Sequence, residues 1–103
     1  MRVKVKSNAQ EREFVIFGPF TAKDEDAFFD VFLQVRRQSE PQMVFNLAQC
    51  PRMDTAAMGM LLLACQEAAK RDLSRIIRGA SDSLTKQMKA CGLEKFYFFQ
   101  QRA

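Results

Sequence analysis

Residues Met43-Val44-Phe45-Asn46-Leu47 form a short apolar run, and after a turn the chain continues as Met53-Asp54-Thr55-Ala56-Ala57-Met58-Gly59-Met60-Leu61-Leu62-Leu63. The first run shows little exposed alternation and reads as a strand buried in a sheet. The second is apolar on almost every side and reads as a helix whose first half lies in a core. The Asp54-Thr55 pair therefore sits where a buried strand hands over to the start of a buried helix. The first N–H groups of a helix lack internal partners, and the aligned peptide dipoles make that end positive. A hydroxyl displayed there is well placed to be capped, bound or phosphorylated.

The flanking chain repeats this alternation. Val3 and Val5 alternate with Arg2, Lys4 and Lys6 as a half-exposed strand. Glu13-Phe14-Val15-Ile16-Phe17 makes a second strand that stops at Gly18-Pro19, and the turn Ser7-Asn8-Ala9-Gln10 pairs the two as an antiparallel hairpin. Residues 24–38 turn helical: Phe28, Val31 or Phe32, and Val35 share a face, with acids in the first turn and Arg36-Arg37 in the last. The central strand spans residues 42–47 and its helix residues 54–72. Ile76-Ile77 mark a strand over 74–78. A helix over 81–91 carries Leu84, Met88 and Cys91 and ends at Gly92, and a last strand covers 96–100. This order predicts a single α/β domain over residues 1–103: a mixed four- to five-stranded sheet, its parallel members joined by right-handed crossovers and covered on at least one face by their helices.

Composition narrows the function classes. The 103 residues suit one core and are too few for two. Ten Phe and no Trp imply a core of flat rings shared among several elements. The formal charge of +4 is spread along the chain, which disfavours direct nucleic-acid binding, and Lys95-Phe96-Tyr97-Phe98-Phe99 reads as a strand in the core before a base-stacking platform. Histidine is absent, and Cys50, Cys65 and Cys91 are odd in number and far apart, so no disulfide framework, metal site or cofactor is expected. Cys65 and Cys91 fall on apolar helix faces as small core residues, Cys50 before Pro51 is the exposed candidate, and none reads as an activated nucleophile. No catalytic cluster is visible, so the expectation is a non-enzyme. The N-terminus lacks a signal-peptide run and no apolar stretch reaches the length of a membrane span, which points to a cytoplasmic protein without membrane insertion.

In Asn46-Leu47 and Asp54-Thr55-Ala56-Ala57-Met58-Gly59 the chain resembles the STAS family, the small bacterial anti-sigma factor antagonists. The resemblance also covers the Phe14 to Gly18 strand, the Ile76-Ile77 strand, the helix from Ser81, and Cys91-Gly92-Leu93-Glu94-Lys95-Phe96 against the family's closing Gly-Leu-x-x-x-Phe pattern. It implies the family's fold, with helices packed mainly on one face of the sheet, and a regulatory protein-binding module that docks a partner serine kinase acting as anti-sigma factor. Thr55 occupies the phosphate-accepting position, Asp54 that of the motif Asp and Gly59 that of its second Gly. Asp54, Thr55, Ala56, Ala57, Met58, Gly18 and Thr21 become the expected docking residues. Two departures are visible: Ala57 replaces the first Gly, and Pro19-Phe20-Thr21 lacks an acid that many members carry in that loop. The plainer reading of the residues themselves is that Asp54 or Thr55 caps a helix. The family also includes accessory subunits of lipid-transport ATPases and scaffold components, which form the alternative function, and a weak homodimer stays open.

Overall fold

The computed structural model describes residues 1–100. Among them, β1 (Arg2–Ser7), β2 (Glu11–Phe17), β3 (Gln42–Asn46), β4 (Ser74–Arg78) and β5 (Phe98–Gln100) form one sheet whose spatial order is the chain order. β1 runs antiparallel to β2, and every later pair is parallel. Asn8 organises the hairpin turn, its Oδ1 accepting from the N–H groups of Gln10 and Glu11 at 2.8 and 3.0 Å. The three parallel steps are bridged by α1 (Glu25–Arg37), α2 (Thr55–Lys70) and α3 (Asp82–Ala90). Because each step moves the same way across the sheet, crossovers of one hand place all three helices on one face.

That face holds the core. Phe14 and Ile16 of β2, Met43 and Phe45 of β3 and Ile77 of β4 cluster with Phe28, Val31 and Val35 of α1, Ala57, Leu61 and Ala64 of α2, and Leu84 and Met88 of α3. The rings are shared among elements as composition demanded. Phe20 stacks on Phe28 with centroids 5.3 Å apart, Phe28 on Phe45 at 5.9 Å and Phe45 on Phe14 at 5.4 Å, while Tyr97 meets Phe45 edge-on. Tyr97 also donates its hydroxyl to the Leu61 carbonyl at 2.6 Å, giving the buried phenol a partner.

The opposite face of the sheet carries no helix but is not bare. Arg78 of β4 reaches across β3 to Glu11 and Glu13 of β2, with N···O distances of 2.7 to 2.9 Å, and also bonds Gln100. Asn46 Nδ2 joins from β3, donating to Glu13 at 3.1 Å. In the parallel register Glu13 lies beside Val44, and Asn46 beside Arg78, so this ladder crosses β3 directly over Val44, which is fully buried. The hydrogen bond from Arg78 holds the Glu11 carboxyl below its usual range.

Several expectations shift. Cys50 is buried, because the loop after β3 folds beneath the loop after β2, and its thiol donates to the Arg52 carbonyl at 3.4 Å. Cys91 is exposed: it follows the last turn of α3, where only Leu84 and Met88 reach the core. Burial raises the thiol pKa of both Cys50 and Cys65. The last strand starts at Phe98, not Phe96, because Leu93–Lys95 forms one 3-10 turn after Gly92, whose φ of +81° turns the chain. Of that aromatic run Tyr97 is buried in the core and Phe99 packs partly buried against it, while Phe96 and Phe98 stay exposed.

Candidate functional site

The site grows from the C-terminal ends of β2 and β3, where parallel strands deliver their loops to the same edge. Asn46 ends β3, and its Oδ1 accepts from the Ala48 N–H at 3.0 Å, starting the turn. Gly18 ends β2 with φ +87°, a left-handed conformation that favours glycine, and donates its N–H to the Gln49 carbonyl at 3.0 Å. From there the two loops zip together. Phe20 N–H bonds the Arg52 carbonyl at 3.0 Å, Asp54 N–H returns to the Phe20 carbonyl at 3.3 Å, and Phe20 pairs with Met53 as a parallel bridge.

Asp54 completes the join with its side chain. One carboxylate oxygen accepts from Ala57 N–H at 2.9 Å and caps α2; the other accepts from Ala22 N–H at 3.0 Å in the neighbouring loop. These backbone hydrogen bonds, that from Ala57 foremost, hold the carboxyl below its usual range. The capping question is thereby answered: Asp54 caps the helix, and the exposed Thr55 hydroxyl has no hydrogen-bond partner among the described residues. Thr21, half-buried, caps the following turn together with Asp24, whose Oδ2 accepts from the Thr21 N–H at 2.8 Å. Asp24 is thus an acid of this loop that the segment Pro19-Phe20-Thr21 does not reveal.

Gly18, Thr21, Asp54, Thr55 and Ala56 come together at one end of the domain. Ala57 and Met58, expected there, do not belong to its surface: they are 0% and 5% exposed, because they point from α2 toward the sheet while Thr55, Ala56 and Gly59 point away. Ala57 also explains its own departure from the motif. It lies inside the regular helix with no left-handed backbone to satisfy, so no glycine is required there. Beside this end lies a feature that sequence reasoning missed, an apolar groove between α1 and α2 in which Phe29 and Leu63 stay exposed. The available signal was that both fall outside the periodic core face, Phe29 beside Phe28 and Leu63 within an uninterrupted apolar run.

The family profile of the STAS domain matches residues 2–102, spanning the sheet, the linked loops and the Asp54-Thr55 helix start. The chain belongs to the STAS domain family. Solved STAS-like structures agree in fold. The anti-sigma factor antagonist SpoIIAA in its unphosphorylated form superposes with a TM-score of 0.77 at 12% identity, covering 99% of this chain and 90% of that one. An RsbS variant from Moorella thermoacetica gives 0.82 at 10%, covering 100% and 89%. A sulfate transporter family protein from Wolinella succinogenes gives 0.74 at 23%, covering 95% and 82%. At these identities the likeness is one of fold alone. No curated protein matches the chain by sequence.

No helix among the described residues is long and apolar enough to cross a membrane. Within the same residues no group of three or more Cys, Asp or Glu side chains is placed to hold a metal ion.

Proposed function

We propose that this STAS domain is a regulatory binding module in the manner of an anti-sigma factor antagonist, docking a switch-type serine kinase through the Gly18, Thr21 and Asp54 to Ala56 surface, with Thr55 as the modified residue. The single observation that supports the reading is the division of labour at the start of α2. Asp54 carries the capping and loop-joining hydrogen bonds, and the adjacent Thr55 hydroxyl is exposed and uncommitted.

The chemistry asked of this chain is display. The kinase breaks the bond between the γ-phosphorus and the bridging oxygen of ATP, releasing ADP; Thr55 Oγ1 forms the new bond to phosphorus, and its proton passes to a base on the kinase. The product adds about −1.5 to −2 charges and three acceptor oxygens at the helix start. The dipole of α2 tolerates that charge, whereas Asp54 next to it and a closely packed partner do not. The domain keeps its fold while the contact at residue 55 is blocked. Incubation with a switch-type kinase and ATP is expected to add one phosphate to the wild type and none to Thr55→Ala. An active kinase that leaves the wild type unmodified counts against the switch.

The second reading, a non-switching accessory domain of a transporter such as a lipid-transport ATPase, draws on the use of the same fold in a sulfate transporter family protein. Stable co-purification with an ATPase, independent of substitution at Thr55, favours that reading instead.

A further inference from the structure

Phe29 and Leu63 are 58% and 56% exposed and stand on opposite walls of the groove between α1 and α2, a depression of about 600 Å³. Phe29 is held as a wall by stacking on Phe32, with ring centroids 6.5 Å apart. Between the walls the floor is lowered by Gly59. A Cβ there meets nothing within 4 Å, and glycine inside a helix costs about 1 kcal/mol relative to alanine. The gap lies between the exposed Ala56 and Leu63 of α2, one turn beyond Thr55. The rim is acidic at the end nearest Thr55: Glu25 and Asp26 line the groove and no Lys or Arg does, although the chain carries sixteen basic residues against twelve acidic ones.

We infer that this groove docks an amphipathic helix of a partner protein, inserting apolar side chains over Gly59 between Phe29 and Leu63 and setting Lys or Arg against Glu25 and Asp26. Two parallel helices with a trough between them accept a third helix through anchors spaced i, i+3 or i+4, i+7. The charge of the rim chooses the sign of its flanks. A second copy of this chain fits poorly, because a two-fold contact through the same patch pairs the groove lining with itself, and that lining holds Glu25 and Asp26 but no Lys or Arg to set against them. Within the described chain the basic amphipathic candidate, α3 with Lys86 and Lys89, has its apolar residues Leu84 and Met88 committed to the core. The inference goes beyond the switch: the groove attaches the helix whether or not Thr55 is modified.

The test pans a display library of helix-constrained peptides, randomised on all faces, against the full chain. The affinity of the selected peptides is then measured for the wild type, Leu63→Ser, Gly59→Gln and the control Lys86→Ala. Selection is expected to yield an apolar stripe flanked by Lys or Arg. Affinity should fall about tenfold or more in Leu63→Ser and in Gly59→Gln, weaken with added salt, and hold in Lys86→Ala. Gly59→Gln fills the groove while improving helix propensity, so its loss of binding cannot be ascribed to unfolding. Peptides flanked by Glu or Asp, an absence of peptides that depend on Leu63 and Gly59, or a concentration-dependent dimer dissolved by Leu63→Ser in sedimentation would each overturn the inference.

Discussion

The carboxylate of Asp54 accepts the backbone N–H of Ala22 at 3.0 Å, so the residue that caps α2 also fastens the loop leading into α1. A single side chain thereby couples the starts of two helices and holds steady the surface around Thr55. Asp54→Ala removes both bonds, and amide hydrogen exchange at Ala22 and Ala57 should rise together while the sheet amides change little. Asp54→Asn, with one acceptor oxygen in place of two, should protect one of the two sites. The sign with pH follows from the lowered carboxyl pKa: the contribution is present above the unfolded value of about 3.9 and is lost as pH falls through the lower folded value. Exchange at the two amides, followed in steps below pH 4.5, checks this.

Arg78 is the cation of the ladder on the helix-free face. Arg78→Met leaves Glu11 and Glu13 close together without it, and Glu13 is 9% exposed. Discounted for the partial exposure of the ladder, a loss of about 2 kcal/mol is expected in urea unfolding at pH 7. In the wild type the ladder contributes fully above the ordinary Glu pKa of about 4.3 and is lost as pH falls through the lowered value at Glu11. In the variant Glu11 lacks the Arg78 hydrogen bond that lowers its carboxyl pKa, so the stability gap between the two proteins should narrow as pH falls below about 4.3.

Met58 and Thr55 lie one turn apart on α2 yet should behave oppositely. Met58→Ala opens a cavity in the core and should cost about 2 to 4 kcal/mol. Thr55→Ala, at an exposed position whose hydroxyl bonds nothing in the described domain, should change stability by less than about 0.5 kcal/mol. Thermal unfolding of the pair checks the placement of both residues.

Gly59→Ala should stabilise the domain by about 0.5 to 1 kcal/mol, since the added Cβ meets open space and the helix gains propensity. A raised Tm would show that this glycine is held for a reason other than folding. A lowered Tm would mean that the groove floor is tighter than its geometry indicates.

Much of the fold was legible along the chain. Alternating valines marked β1, the periodic Phe28, Val31 and Val35 marked the inner face of α1, and the Asp54-Thr55 step marked the start of α2, because each signal lies within one element. The misreadings share another cause. Cys50 and Cys91 exchanged environments because burial in a loop or at a helix end depends on what the rest of the chain lays over it. Ala57 and Met58 read as surface because a motif names neighbouring residues, whereas the 100° turn per residue of a helix sends neighbours to different sides.

Local sequence by itself determined the element order, the left-handed turn at Gly92 and the placement of a Thr hydroxyl at the first turn of a buried helix. These follow from short-range sterics and hydrogen bonding. Only the tertiary structure decided that Asp54 would bond Ala22, that Arg78 would span β3 to reach Glu11 and Glu13, and that Phe29 and Leu63 would face each other across an open groove. Hydrophobic periodicity sets which way a residue points relative to its own helix axis. Whether something covers it depends on the spacing and rotation of a second element many residues away.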